Sequence, residues 1–157
     1  MDTTIRTAQV LGLTSAILLS GINLGSSLLA IPILQTRPAS FSTPFFHEFY
    51  LRGAYTLVPL GIFSASCSAL VAYLLPTQRT IWAIAAAGAA AQTPWTLLVM
   101  MGTNQRLIDI AESAVEMEKV GQGEVVELLG RWAWMNVVRG LFALGGGLAG
   151  LWGVMEG

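Results

Sequence analysis

Apolar residues run in long stretches along this chain, and the charged positions fall between them. No charge lies between Arg6 and Arg37, between Arg52 and Arg79, or between Arg79 and Arg106. After Arg131 only Arg139 and Glu156 carry one. A spanning helix needs about 20 mostly apolar residues, and all four windows reach that length. The pattern predicts an all-α membrane protein, a four-transmembrane-helix bundle running up-down-up-down. The spans are expected at about residues 7–34, 50–75, 80–101 and 132–155, in a single domain over 1–157 with both termini on one side. The first apolar stretch, about Ala8 to Leu34, is longer than the roughly 7–15 residues of a signal-peptide core. It is expected to be a retained spanning helix.

The connections read differently from one another. Residues 35–49 are predicted as a loop, broken by Pro38 and Pro44. Phe41, Phe45, Phe46 and Phe49 are too apolar for a free loop, and are expected to fold over the bundle mouth as a lid bearing His47. Pro76-Thr77-Gln78-Arg79 is a short connection, so helices two and three form an antiparallel hairpin. Pro94 is expected to kink helix three. From Arg106 to Arg131, both included, nine charged residues gather. There Leu107, Ile110, Ala111, Ala114 and Val115 recur at helical spacing, with Asp109, Glu112 and Glu116 opposite. This predicts an amphipathic segment between helices three and four, continuing helix three or lying at the interface, until Gly121-Gln122-Gly123 breaks it. The first and third connections carry Arg37, Arg52, Arg106, Lys119 and Arg131, against Arg6 and Arg79 on the other side. Positive-inside reasoning puts the longer connections in the cytosol.

Composition adds exclusions. The chain is 54% hydrophobic and 11% charged, against roughly a quarter charged in soluble domains, which leaves too thin a polar skin for water. A net charge of −1 without a basic run excludes nucleic acid as a partner. Cys67 is the only cysteine and reads as a packing residue among small neighbours, so no internal disulfide forms. One cysteine and one histidine are too few for a zinc or iron–sulfur site. A haem held by His47 alone is disfavoured, because a surface loop is a poor place to bury a porphyrin.

The polar residues inside the windows carry the candidate chemistry. Trp132, Asn136 and Arg139 are spaced by four and three and share one helical face. Arg139 lies about 10 Å deeper than Trp132 by helix rise. An arginine at that depth costs several kcal/mol if it faces lipid. It therefore lines a functional pocket, pairs structurally with Asn or backbone carbonyls, or snorkels. No acidic residue inside a window neutralises it, so an anionic ligand or intermediate would. Asn23, about mid-span in helix one, reads as an interhelical hydrogen bond or a ligand contact. Arg52 is a helix anchor or a site residue, and His47 a titrating group or a plain interfacial residue. Trp95 and Trp132 suit stacking on a flat ligand or a membrane-interface belt.

These residues together resemble a known family. A Phe/Tyr-rich first connection leads into Tyr50-x-Arg52-Gly53. Thr103-Asn104-x-x-Leu107 follows helix three, and Trp132-x-x-x-Asn136-x-x-Arg139 lies on helix four. In this order, with four spans, they resemble the anthrone oxygenase-like membrane family, found in fungal polyketide clusters and in bacteria. The resemblance covers nearly the whole chain. Each motif is short, and their order and spacing carry it. One departure is Gly102-Thr103, where a proline is expected before the asparagine.

The resemblance implies a membrane-embedded, cofactor-independent oxygenase or oxidase. It would turn a flat, hydrophobic anthrone-like polyketide into an anthraquinone with molecular oxygen, using no metal or flavin. It implies His47 as base, Arg139 with Asn136 as oxyanion support, and Trp132 with Trp95 around the rings. Asn23, Tyr50, Arg52 and Asn104 complete the substrate contacts. In a fungal host it implies the endoplasmic reticulum or another endomembrane. The competing reading is a non-catalytic tetraspan scaffold or accessory subunit, supported by the Gly, Ala and Ser content of every helix, which also leaves homo-oligomer formation open.

Overall fold

The computed structural model describes residues 3–156. These form four long helices and one short one: α1 (Thr3–Gln35), α2 (Ala39–Leu74), α3 (Pro76–Glu112), α4 (Ala114–Lys119) and α5 (Gln122–Met155). No strand occurs among the described residues. The four long helices are each long and apolar enough to cross a membrane, as the charge-free windows predicted. Short connections make successive spans antiparallel. They form a ring in which α1 packs on α2, α2 on α3, α3 on α5 and α5 on α1.

Large apolar residues face out of the ring while several polar residues are buried within it. Leu29, Tyr55 and Leu98 face outward, Leu98 with 84% of its surface exposed, whereas Asn23, Asn104, Asn136 and Ser64 are fully buried. That inversion implies a lipid environment: hydrocarbon accepts an outward leucine, and a buried amide finds partners only within the bundle. The arrangement is consistent with a multi-pass membrane protein. Small residues bring the spans close. A Cβ on Gly88 of α3 would lie 2.6 Å from the Phe142 carbonyl oxygen and 2.9 Å from the Gly146 Cα of α5. Between α1 and α2, the Ser64 hydroxyl donates to the Gly12 carbonyl at 2.9 Å.

Two expectations are corrected. Residues 39–49 are not a loop or lid but the first turns of α2. Pro38 caps that helix, and Pro44 lies inside it, where its missing N–H forfeits the one backbone bond to Ser40. The Ser42 hydroxyl donates back to the Leu34 carbonyl at 2.6 Å and that of Thr43 to Ala39 at 3.0 Å. Burial of Phe46 against Trp132 fixes the segment from the other side. The amphipathic segment is also shorter than expected. It continues α3 only to Glu112, with Leu107 and Ile110 buried, and Ser113 then turns extended and caps α4. Val115, expected on the apolar face, is exposed. Gln122, at the head of α5, clamps the first connection: its Nε2 donates to the Arg37 carbonyl at 2.7 Å and its Oε1 accepts from the Ala39 N–H at 2.8 Å.

Both α1 and α3 contain a π-turn, at Ser26–Ala30 and at Thr96–Met100. α3 is also interrupted at Ala91, just before Pro94, whose missing N–H leaves the Ala90 carbonyl without its helical donor. Such turns recur at functional sites, and these two flank the polar centre of the bundle.

Candidate functional site

A cavity of about 430 Å³ opens inside the ring, within the range of small-molecule sites. Every span contributes to its wall. Ile22 and Ser26 come from α1, Tyr50 and Arg52 from α2, Gln92 and Thr96 from α3, and Trp132 and Arg139 from α5. Most of the rest is apolar, including Leu57, Val58, Ala89 and Leu97. Among the described residues that line it, none is a carboxylate or a histidine, while two are arginines.

Arg139 is half-buried on the wall and held by neutral acceptors alone. Its Nη2 donates to Asn23 Oδ1 at 2.8 Å and its Nη1 to Thr96 Oγ1 at 3.1 Å. Its Nε has no protein partner. Behind it the amides interlock. Asn23 Nδ2 donates to Gln92 Oε1 at 2.9 Å. Asn136 Nδ2 donates to the Asn23 carbonyl and to Ser27 Oγ, both at 2.8 Å. Gln92 is only 8% exposed and its Nε2 is unpartnered. A buried donor left so costs about 1–3 kcal/mol, which other interactions of the fold must offset.

The residues expected at the site fall into three groups. Tyr50, Arg52, Trp132 and Arg139 line the cavity together. Asn23 and Asn136 lie behind the wall: Asn23 accepts from Arg139, and Asn136 donates to the Asn23 carbonyl. His47, Trp95 and Asn104 do not line it. His47 Nε2 faces Glu112 at 3.6 Å, between α2 and the end of α3. The Trp95 N–H donates to the Met135 carbonyl at 3.0 Å and its ring meets Phe142 edge-on. Trp95 therefore does not share the cavity wall with Trp132. Trp132 instead meets Phe46 and Phe49 edge-on. Asn104 is fully buried with both amide atoms unpartnered.

Sequence reasoning missed Gln92 and Thr96 as site residues. Their signal was present, an i, i+4 polar pair beside Pro94 in an otherwise apolar span. Like Asn23, Gln92 is an amide in an apolar span that must find a partner. Among the described residues no group of three His, Cys, Asp or Glu is placed to hold a metal ion.

Known proteins match this chain along most of its length. The family model described as anthrone oxygenase matches residues 46–149, the stretch that carries Tyr50, Gln92, Trp132 and Arg139. An anthrone oxygenase of Aspergillus fumigatus is 30% identical, over 94% of this chain and 92% of its own. Another, of Paecilomyces divaricatus, is 27% identical over 96% of this chain and 95% of its own. A noranthrone monooxygenase of Aspergillus flavus is 36% identical over a shorter stretch, 46% of this chain and 35% of its own. No solved structure matches. With the family model spanning well over half of its length, this chain belongs to the anthrone oxygenase family.

Proposed function

We propose that the protein is a membrane-embedded, cofactor-independent oxygenase that converts an anthrone-like aromatic polyketide to the anthraquinone. The observation that carries this is the apolar cavity whose wall holds the Arg139 guanidinium with neutral partners only. The activities for which the relatives are named, anthrone oxygenase and noranthrone monooxygenase, point the same way.

The chemistry closes without an electron carrier. An anthrone methylene, flanked by two rings, loses a proton and the negative charge settles on the carbonyl oxygen. Arg139 holds that oxyanion, and a preorganised donor in a water-poor site is the largest single lever on such a step. The methine carbon then passes one electron to oxygen and recombines with it, forming a C–O bond to a peroxide anion, which takes up a proton. Loss of the remaining methine proton breaks the O–O bond, expels hydroxide and forms the second carbonyl. Anthrone and dioxygen thus give anthraquinone and water, the carbon supplying all four electrons. With no carboxylate or histidine on the described wall, the protein acts by acidifying the substrate, and water at the cavity mouth receives the proton. His47 is assigned to the contact between α2 and α3. In a fungal cell an endomembrane such as the endoplasmic reticulum suits a substrate that partitions into lipid.

The test is turnover of 1,8-dihydroxy-9-anthrone by membranes containing the protein, under ¹⁸O-labelled dioxygen. A rate above that of membranes lacking the protein, with one labelled oxygen in the new carbonyl, is expected. Equal rates in the two membranes, for this anthrone and its ring-substituted analogues, would overturn the reading.

A further inference from the structure

The amides around Arg139 form a chain whose directions are dictated by chemistry. A guanidinium only donates. The Asn23 atom that meets Arg139 Nη2 at 2.8 Å must therefore be the carbonyl oxygen. That turns the Asn23 NH₂ toward Gln92, 2.9 Å away. Since an NH₂ also only donates, the Gln92 atom it meets must be the oxygen. The Gln92 NH₂ is left pointing away from Asn23, buried, and bonded to no protein group. The charge of Arg139 fixes each amide in turn.

Gln92 and Arg139 both line the cavity, from α3 and α5, and each keeps a buried N–H without a protein partner. Asn23 touches both side chains, and is itself locked by Asn136, which donates to its backbone carbonyl at 2.8 Å. Both donors belong to side chains of the cavity wall and are joined through Asn23. We propose that Gln92 is a second donor to the substrate oxyanion beside Arg139, and that Asn23 is the positioning residue that aims both. This rests on the oxygenase reading above and deepens it. It names an anionic oxygen of a planar enolate or phenolate as the group the wall receives. Asn23 acts through its neighbours and touches no reacting atom.

The experiment uses the full-length protein in detergent or membranes, with rates normalised to folded protein by size-exclusion chromatography. Two readouts are taken. One is kcat and KM for 1,8-dihydroxy-9-anthrone. The other is the pH at which bound 1,8-dihydroxyanthraquinone ionises, read from its visible absorption. The parent should lower that ionisation pH relative to the dye in protein-free detergent. Gln92→Leu should lose roughly 10²-fold in kcat, the cost of one oxyanion donor, with KM changed far less, and should return part of the ionisation shift. Gln92→Glu keeps the size, removes the donor and sets a carboxylate against Arg139. It should lose at least as much rate, and it covers the case in which the leucine variant fails to accumulate. Asn23→Asp keeps the acceptor for Arg139 but has no donor for Gln92, and should also move both readouts. A residue that only packs would leave the ionisation of the dye where the parent has it. If the parent turns over the anthrone and shifts the dye, and both Gln92 variants match it, Gln92 is no donor and this proposal falls alone. If the parent does neither, the oxygenase reading falls and takes the proposal with it.

Discussion

Two arginines of this protein hold their charges in opposite ways. Arg106, near the end of α3, meets carboxylates: Glu116 of α4 at 2.7 Å and Glu124 of α5 at 2.8 Å. Arg139, inside the ring, meets a hydroxyl and an amide oxygen. The first is neutralised within the chain and ties three helices together at a solvated end. The second is oriented without being neutralised. Neutral acceptors fix a guanidinium in place yet leave its field available, and a deep site of low dielectric makes that field large. A chain that needed Arg139 only for packing would be served as well by an apolar residue of similar volume.

The largest expected effect comes from deleting that field. Arg139→Leu should leave the bundle folded, and should lower turnover of the anthrone by about 10²–10³-fold, the loss typical of one oxyanion donor. Arg139→Lys should restore little, since a point charge lacks the planar fork of donors. Parental turnover by the leucine variant would make the two arginines alike, both structural. A sharper version converts the inner site into a copy of the outer one. Thr96→Asp puts a carboxylate where a hydroxyl now accepts from Arg139. Turnover should fall by at least about tenfold, short of the full loss of a donor, because the guanidinium remains but is paired. Unchanged kinetics in that variant would mean the unpaired charge is irrelevant.

His47 gives a smaller effect. A general base contributes about 10²–10⁴-fold. Lying off the cavity and opposite Glu112, His47 should be replaceable by alanine with turnover kept within about threefold, far below that range. A loss of two orders of magnitude in membranes at matched expression would restore it as the base, and would require α2 to move in the working state.

The sequence makes some of this legible and hides the rest for physical reasons. Four charge-free windows suffice for four spans, because lipid excludes charge and every backbone group must bond within its own helix. Trp132, Asn136 and Arg139 were readable as one face because helical spacing is local. Pro44 reads as a helix breaker, yet it lies inside α2. Burial of Phe46 and the back-bonding hydroxyls of Ser42 and Thr43 outweigh the cost of the proline, and burial is a tertiary fact. The split among polar residues, Tyr50 and Arg52 on the wall, Asn136 behind it, Trp95 and Asn104 away from it, depends on helix rotation in the ring. No spacing within one helix encodes that. Gln92, a lone amide in an apolar span beside Pro94, raises the same question as Asn23.

The smallest effect expected belongs to the outer arginine and separates it from the inner one by pH. The hydrogen bond from Arg106 is the first cause that holds the Glu116 carboxyl below its ordinary value of 4.5; partial desolvation opposes it and Lys119 adds to it. A carboxylate with a lowered value stabilises the state in which it is paired at every pH above the ordinary value. That contribution is lost as pH falls through the lowered one. Docking of α4 should therefore be constant from neutral pH down to the ordinary carboxylate range, and should weaken only below it. Hydrogen exchange of the Ala114–Lys119 amides, corrected for intrinsic rates between about pH 7 and pH 3, measures this directly. Glu116→Gln should give weaker protection throughout and remove the acid limb, while anthrone turnover near neutral pH stays within about twofold, as for other exposed pairs. A fall in protection well above the carboxylate range would mean that another group holds α4. A matching fall in turnover in Glu116→Gln would show that the two arginines are coupled, and that the outer cluster helps to set the inner site.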